Sequence, residues 1–220
     1  MTERLLDRVE MVSFADRYFD ENCVILRRRD TGAALVMDPG LQVGEVSDYI
    51  EKHDLKVDYI LLTHGHVDHV FGVPVIREQT GAPVYMHPLD RAQLKRNPTV
   101  VRQFGLDPEQ FGEPVIDHEL AEGTPVGWQD LTLQVIHTPG HTEGSVSFLL
   151  FDSCFAGDTL FRRGIGRTDL PGGSHEAIVG SIQEKLFRLP PETMVYAGHG
   201  QPTTIREEMS ENPFVAARGH

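Results

Sequence analysis

Apolar residues along the chain switch between two spacings. Segments 9–14, 23–29 and 33–37 are short, partly β-branched and separated by turn residues, so they predict strands. The third stops at Asp38-Pro39-Gly40, where proline and glycine end a strand. Segment 43–53 has apolar side chains at Val43, Val46, Tyr49 and Ile50, the spacing of a helix face. Segment 57–62 again reads as a strand, 70–80 as a helix and 82–86 as a short strand. The second half repeats the grammar. Strands are predicted at 115–120, 125–127, 131–136, 145–151, 153–156 and 193–197, with a helix over 174–187 capped by Ser174. Sheets with helices outside them make a layered α/β sandwich.

Residues 87–113 break this rhythm. Prolines and glycines (Pro88, Pro98, Gly105, Pro108, Gly112) interrupt scattered apolar residues, among them Leu94, Val101, Phe104, Leu106 and Phe111. A stretch this long is either functional or a surface helix pair packed on itself, and 89–111 is open to both readings.

Candidate chemistry gathers where strands stop. The run Thr63-His64-Gly65-His66-Val67-Asp68-His69 follows the apolar Tyr59-Ile60-Leu61-Leu62. Imidazole nitrogen and carboxylate oxygen are the ligands that borderline metals prefer. His64 and His66 leave an extended backbone on one side. Asp68 and His69 require a turn, which lets them address a second ion. Thr138-Pro139-Gly140-His141-Thr142, Ala156-Gly157-Asp158-Thr159 and Ala197-Gly198-His199-Gly200 repeat the pattern of buried strand, tight turn and one ligand-type side chain. One partition of the seven puts His64, His66 and His141 on one ion and Asp68, His69 and His199 on the other, with Asp158 bridging. Asp68 and Asp158 are then the candidate catalytic carboxylates. Each ion keeps open positions, as catalytic zinc does and structural zinc does not, and no Cys-x-x-Cys pair points to a structural site. A metal-bound imidazole donates its other N–H to a carboxylate or carbonyl, and Asp38 is the candidate for that role. Arg162, Arg163 and Arg167 follow Asp158 and are candidates to meet an anionic substrate.

Composition narrows the function. The 220 residues suit a single domain over 1–220, and a net charge of −13 repels phosphate backbones, so no nucleic-acid partner is expected. No apolar run approaches the roughly 20 residues that span a bilayer, so no membrane partner is expected. The N-terminal residues do not read as a signal peptide, which points to the cytoplasm. Cys23 and Cys154 sit in apolar surroundings and read as free, buried thiols. Arg27-Arg28-Arg29 reads as a solvated strand end before a hairpin turn.

The ordered set His-x-His-x-Asp-His, Thr-Pro-Gly-His-Thr, Gly-Asp-Thr and Gly-His-Gly resembles the metallo-β-lactamase-fold hydrolases. The run from Ala156-Gly157-Asp158-Thr159-Leu160-Phe161 through Gly164-Ile165-Gly166-Arg167-Thr168-Asp169 is similar to the single-domain glyoxalase II-like (hydroxyacylglutathione hydrolase-like) branch. The resemblance implies a four-layer αββα sandwich and two divalent ions, zinc first, with iron or manganese also used. It implies hydrolysis of a thioester or ester, of the S-acylglutathione type, by metal-bound hydroxide. Two dications against two aspartates and a hydroxide leave the centre positive, which favours a small acidic substrate.

The same comparison sets alternatives. True β-lactamases of the fold lack an aspartate equivalent to Asp158. Its nucleases carry an extra domain or arm. Persulfide dioxygenases of the fold hold one iron with equivalents of His64, His141 and Asp158, but usually have Ala-His-Asp where this chain has Gly198-His199-Gly200. Lactonases share the ligand set, and a non-catalytic metal-binding domain is a further alternative. Two-domain glyoxalase II enzymes add a helical C-terminal domain. Here the chain ends at His220, soon after His199, which leaves the thiol half of the substrate open.

Overall fold

The computed structural model describes residues 4–103 and 111–215, so Phe104 and Leu106 lie outside the described residues. The chain divides into two compact units, one of residues 8–120 and one of residues 1–7 with 121–220. Near the N-terminus the one-turn helix α1 (Leu5–Arg8) buries Leu5, whose N–H bonds to Asp152 Oδ1 at 2.9 Å.

The unit of residues 8–120 holds a six-stranded sheet in sequential order. Strands β1 (Val9–Ala15), β2 (Asn22–Arg28) and β3 (Ala33–Met37) pair antiparallel. Strands β4 (Lys56–Leu61), β5 (Val84–Met86) and β6 (His118–Glu119) extend the sheet in parallel from β3. A parallel strand is covered on both faces and reads as an unbroken apolar run. β3 is such a run, and all of its residues are buried. Helix α2 (Val43–Lys52) turns Val46 and Ile50 into the core, as the spacing predicts.

The helix expected over 70–80 is instead two: α3 (Val67–Val70) and α4 (Val73–Thr80). The break has a tertiary cause. Gly72 gives its N–H to Pro39 O at 2.8 Å rather than to a carbonyl of α3, and Pro74 has no N–H to rebuild the ladder. The stretch after β5 contains a 3₁₀ turn (Pro88–Asp90) and the short helices α5 (Arg91–Leu94) and α6 (Asn97–Gln103). Leu94, Val101 and Phe111 from it join the core of this unit. The strand expected over 115–120 shrinks to β6. Arg28 also departs from expectation. It is 2% exposed, and its guanidinium grips Asp30 through Nε–H at 2.8 Å and Nη2–H at 2.5 Å.

The second unit holds a six-stranded sheet too, in the order β14-β13-β10-β9-β8-β7. Strands β7 (Val126–Trp128), β8 (Leu131–His137), β9 (Val146–Leu150) and β10 (Ser153–Gly157) follow as an antiparallel meander. Trp128 stands opposite Leu131 at the first hairpin and is fully buried. A small hairpin, β11 (Leu160–Phe161) with β12 (Gly164–Ile165), leads to helix α7 (His175–Glu184). Ser174 caps α7 as expected, its hydroxyl accepting from Ala177 N–H. Strand β13 (Met194–Ala197) then pairs parallel to β10. Strand β14 (Thr203–Thr204) and helix α8 (Ile205–Glu211) follow. Ile178 and Ile182 of α7 pack with Cys154, Leu186, Val195 and Ile205.

Both cysteines are free and buried, and burial pushes the Cys154 thiol up to about 12. Among the described residues no helix is long and apolar enough to cross a membrane.

Candidate metal centre

In the unit of residues 8–120 Leu62 and Thr63 separate the end of β4 from His64, the first histidine of the run. His66 is the N-cap of α3, and Asp68 and His69 lie in its single turn. The ring centroids of His64 and His66 are 4.9 Å apart and those of His64 and His69 4.1 Å apart. Asp68 Oδ2 is 3.8 Å from His69 Nε2. This unit therefore gathers all four side chains of the run, with His64 and His69 buried.

Asp38 organises them. It follows β3 directly, with φ of +48°, a left-handed conformation uncommon outside glycine, asparagine and aspartate. Its Oδ1 accepts from Thr63 N–H at 2.8 Å, and its Oδ2 accepts from the Thr63 hydroxyl at 2.6 Å. The same Oδ2 is 3.1 Å from His69 Nδ1. A carboxylate can only accept, so His69 is protonated on Nδ1 and turns a lone pair outward on Nε2. The Thr63 hydroxyl has spent its hydrogen on Asp38. It therefore accepts from His64 Nδ1 at 3.1 Å, which leaves the His64 lone pair on Nε2 as well.

In the second unit His141 follows β8, Asp158 follows β10 and His199 follows β13. His141 Nε2 and His199 Nε2 each lie 3.3 Å from the same atom, Asp158 Oδ2. His141 Nδ1 meets Arg167 O at 2.8 Å, and a carbonyl accepts, so His141 too presents its lone pair on Nε2. Gly166 makes this possible. A Cβ there would stand 1.8 Å from Asp158 O and 3.1 Å from His141 Nδ1, so only glycine lets the backbone pass.

These arrangements fit divalent ions. Lone pairs of neutral imidazoles facing carboxylate oxygens repel one another unless a cation stands among them. Nitrogen and oxygen donors without thiolate suit zinc, iron or manganese. His64, His66, His69 and Asp68 would be donors in the first unit, and His141, Asp158 and His199 in the second.

The arginines divide. Arg167 pairs bidentately with Asp169 at 2.8 and 2.9 Å, and Arg163 pairs with Glu211. Arg162, exposed on the β11–β12 turn, donates to the neutral Gln201 Oε1 at 2.8 Å. Phe161, its neighbour, meets the His199 ring edge-on at 5.9 Å. Two histidines outside the run contact aromatic rings instead: His53 packs on Tyr49 and His118 on Tyr85. His220 lies outside the described residues.

One residue escaped the sequence reading. Glu21 is fully buried, its Oε1 3.7 Å from His69 Nδ1 and its Oε2 accepting from Gln42 Nε2 at 2.6 Å. Burial raises its carboxyl well above the usual range. The charges of Asp38 and Asp68 add to that rise, while His69 and the Gln42 hydrogen bond oppose it. A carboxylate opening an apolar strand was its only signal in the sequence.

A sequence profile of the metallo-beta-lactamase superfamily matches residues 17–199. The chain is 34% identical over 209 residues to hydroxyacylglutathione hydrolase GloC of Haemophilus influenzae, covering 91% of this chain and 95% of that protein. The solved structure of the B3 metallo-beta-lactamase BLEG-1 superposes with a TM-score of 0.84 at 33% identity, covering 94% of this chain and 100% of that one. TTHA1623 in a di-iron-bound form gives 0.81 at 34% identity, covering 92% and 99%. ETHE1 from Myxococcus xanthus gives 0.78 at 31% identity, covering 94% and 84%. The chain belongs to the metallo-β-lactamase superfamily, and its two mixed sheets with their helices are those of that α/β fold.

Asp38→Ala should weaken metal binding by about 10–100-fold, because His64 and His69 lose the chain of bonds that fixes their tautomers. Competition against a chromophoric chelator reads this directly. Wild-type affinity in a folded variant would contradict the role given to Asp38.

Proposed function

We propose that the chain is a dinuclear metal-dependent hydrolase of thioesters or esters, close in action to glyoxalase II. In this reading His64, His66 and His141 hold one ion, Asp68, His69 and His199 hold the other, and Asp158 serves both. The two units then act as one catalytic domain over 1–220. The observation that carries this reading is that His141 and His199 both turn their Nε2 atoms toward one oxygen of Asp158, which supports a metal-binding role for that carboxylate. The likeness to hydroxyacylglutathione hydrolase GloC supports the substrate class. Zinc is the first candidate metal, and the di-iron form of a relative at 34% identity keeps iron beside it. A cytoplasmic site of action agrees with two free, buried cysteines.

Bound dications would lower the pKa of a coordinated water to about 7 and polarise the scissile carbonyl. The chain's own residues do the rest. Asp38 holds the imidazoles in the Nδ1–H tautomer, and Thr63 relays that choice to His64. Arg167 O does the same for His141. Asp68 and Asp158 bring the negative charge that balances the ions. Among the three arginines, Arg162 keeps a charge that no carboxylate neutralises among its described contacts. We assign it to the anionic end of the substrate, with Gln201 steering the guanidinium.

A second reading has one specific support. A mononuclear-iron persulfide dioxygenase would use His64, His141 and Asp158, and all three are present with Nε2 of His141 on Asp158. The likeness to BLEG-1 adds β-lactams to the substrates worth assaying.

A panel of S-acylglutathiones, neutral thioesters, lactones, a β-lactam and glutathione persulfide separates these readings. Thioester hydrolysis that a chelator abolishes and added metal restores is the expected outcome. Oxygen uptake on the persulfide with no hydrolysis of any ester would overturn it. Arg162→Ala should raise KM for an anionic thioester about 10-fold, roughly 1.4 kcal/mol, and leave a neutral thioester unchanged. Equal effects on both substrates would remove Arg162 from recognition.

A further inference from the structure

Gly65 is the single residue between His64 and His66, in a stretch with no helix or strand to fix it. Rotation about its two flexible dihedrals would swing both imidazoles. Two buried side chains prevent this. Asp90 Oδ2 accepts from Gly65 N–H at 2.7 Å, and Asn97 Nδ2 donates to Gly65 O at 2.9 Å. Asp90 is 2% exposed and Asn97 1%. Both come from the stretch after β5: Asp90 closes its 3₁₀ turn and Asn97 starts α6. The fit is close as well as polar, since a Cβ on Gly65 would stand 3.0 Å from Asp90 O and 3.2 Å from Gln93 Cβ.

We propose that Asp90 and Asn97 are positioning residues that clamp Gly65 and so set the spacing of His64 and His66 for metal binding. This gives a function to residues 88–97, which is to hold the ligand run at Gly65 while Asp38 holds it at Thr63 and His69. The carboxylate acceptor makes the stronger bond, because a charged partner roughly doubles an ordinary hydrogen bond. The amide completes the clamp on the other backbone polar group of the same residue, so the peptide units on both sides of the Gly65 Cα are held. Asp38 fixes which nitrogen each imidazole presents. Asp90 and Asn97 fix where the backbone carries those imidazoles.

The inference rests on the metal assignment under Proposed function, and the test keeps the two apart. Cobalt(II) is titrated into metal-free protein against a competing chelator, with its visible spectrum followed. Wild type, His66→Ala, Asp68→Ala, Asp90→Ala, Asp90→Asn, Asn97→Ala and Asn97→Asp are compared. Asp90→Ala and Asn97→Asp should weaken one of the two binding steps about 10–100-fold, the step that His66→Ala removes, and leave the other within about 2-fold. Asp90→Asn keeps an acceptor oxygen at the same reach and should recover most of the loss. Circular dichroism and thermal unfolding of the metal-free variants separate positioning from folding. If Asp90→Ala does not fold, Asn97→Asp and Asn97→Ala decide. Two unchanged steps in folded Asn97→Asp, or equal weakening of both, would overturn the clamp. Wild-type protein with no cobalt-binding step would overturn the metal assignment itself, and the clamp with it.

Discussion

A histidine binds a metal best when its other nitrogen donates to a fixed acceptor, which sets its tautomer and orientation. That constraint organises the structure around Asp38. One carboxylate at the end of β3 takes both the N–H and the hydroxyl of Thr63 and the Nδ1–H of His69, and through Thr63 it decides the tautomer of His64. Asp38 adopts left-handed backbone to do so. For a residue other than glycine that conformation costs on the order of 1–3 kcal/mol and persists where surrounding bonds over-determine it. Fully buried Glu21 stands near the same imidazole, its Oε1 3.7 Å from His69 Nδ1, while Asp38 Oδ2 takes the hydrogen-bonding position at 3.1 Å.

The second unit meets the same constraint with a backbone carbonyl. Arg167 O takes the His141 Nδ1–H, and the close pass of Gly166 over Asp158 brings that carbonyl within reach. In each unit, then, a rigid strand delivers the ligand and a neighbouring chain segment fixes its proton. Ligands placed on strand ends and backed in this way need little rearrangement to accept an ion. Chemistry of that kind can be weakened without touching a ligand, through residues such as Asp38 that fix how a ligand is presented.

The seven proposed ligands could be picked out in the sequence because each is a local signal: an apolar strand, then a turn, then histidine or aspartate. Asp38 was legible for the same reason, as a carboxylate placed where a strand stops. Long-range bonds were not legible. Gly72 donates to Pro39, far back in the chain, and this divides a helix that the spacing of residues 70–80 presents as one. Asp90 and Asn97 sit in a stretch whose prolines and glycines conceal their part, and nothing near them points to Gly65. Glu21 looks like the polar start of an ordinary strand. The three arginines after Asp158 read alike in sequence, and only their partners separate them. Asp169 and Glu211 neutralise two, while Gln201 leaves the third charged. The hairpin β11–β12 and helix α8 were missed because their apolar content is too small for a periodic signal.

On the proposed assignment, seven side chains of this chain hold two metal ions. Elemental mass spectrometry on protein purified without chelator tests it most directly. About two equivalents of metal per chain are expected, zinc alone or mixed with iron and manganese. One equivalent of iron alone, or no bound metal, would contradict it.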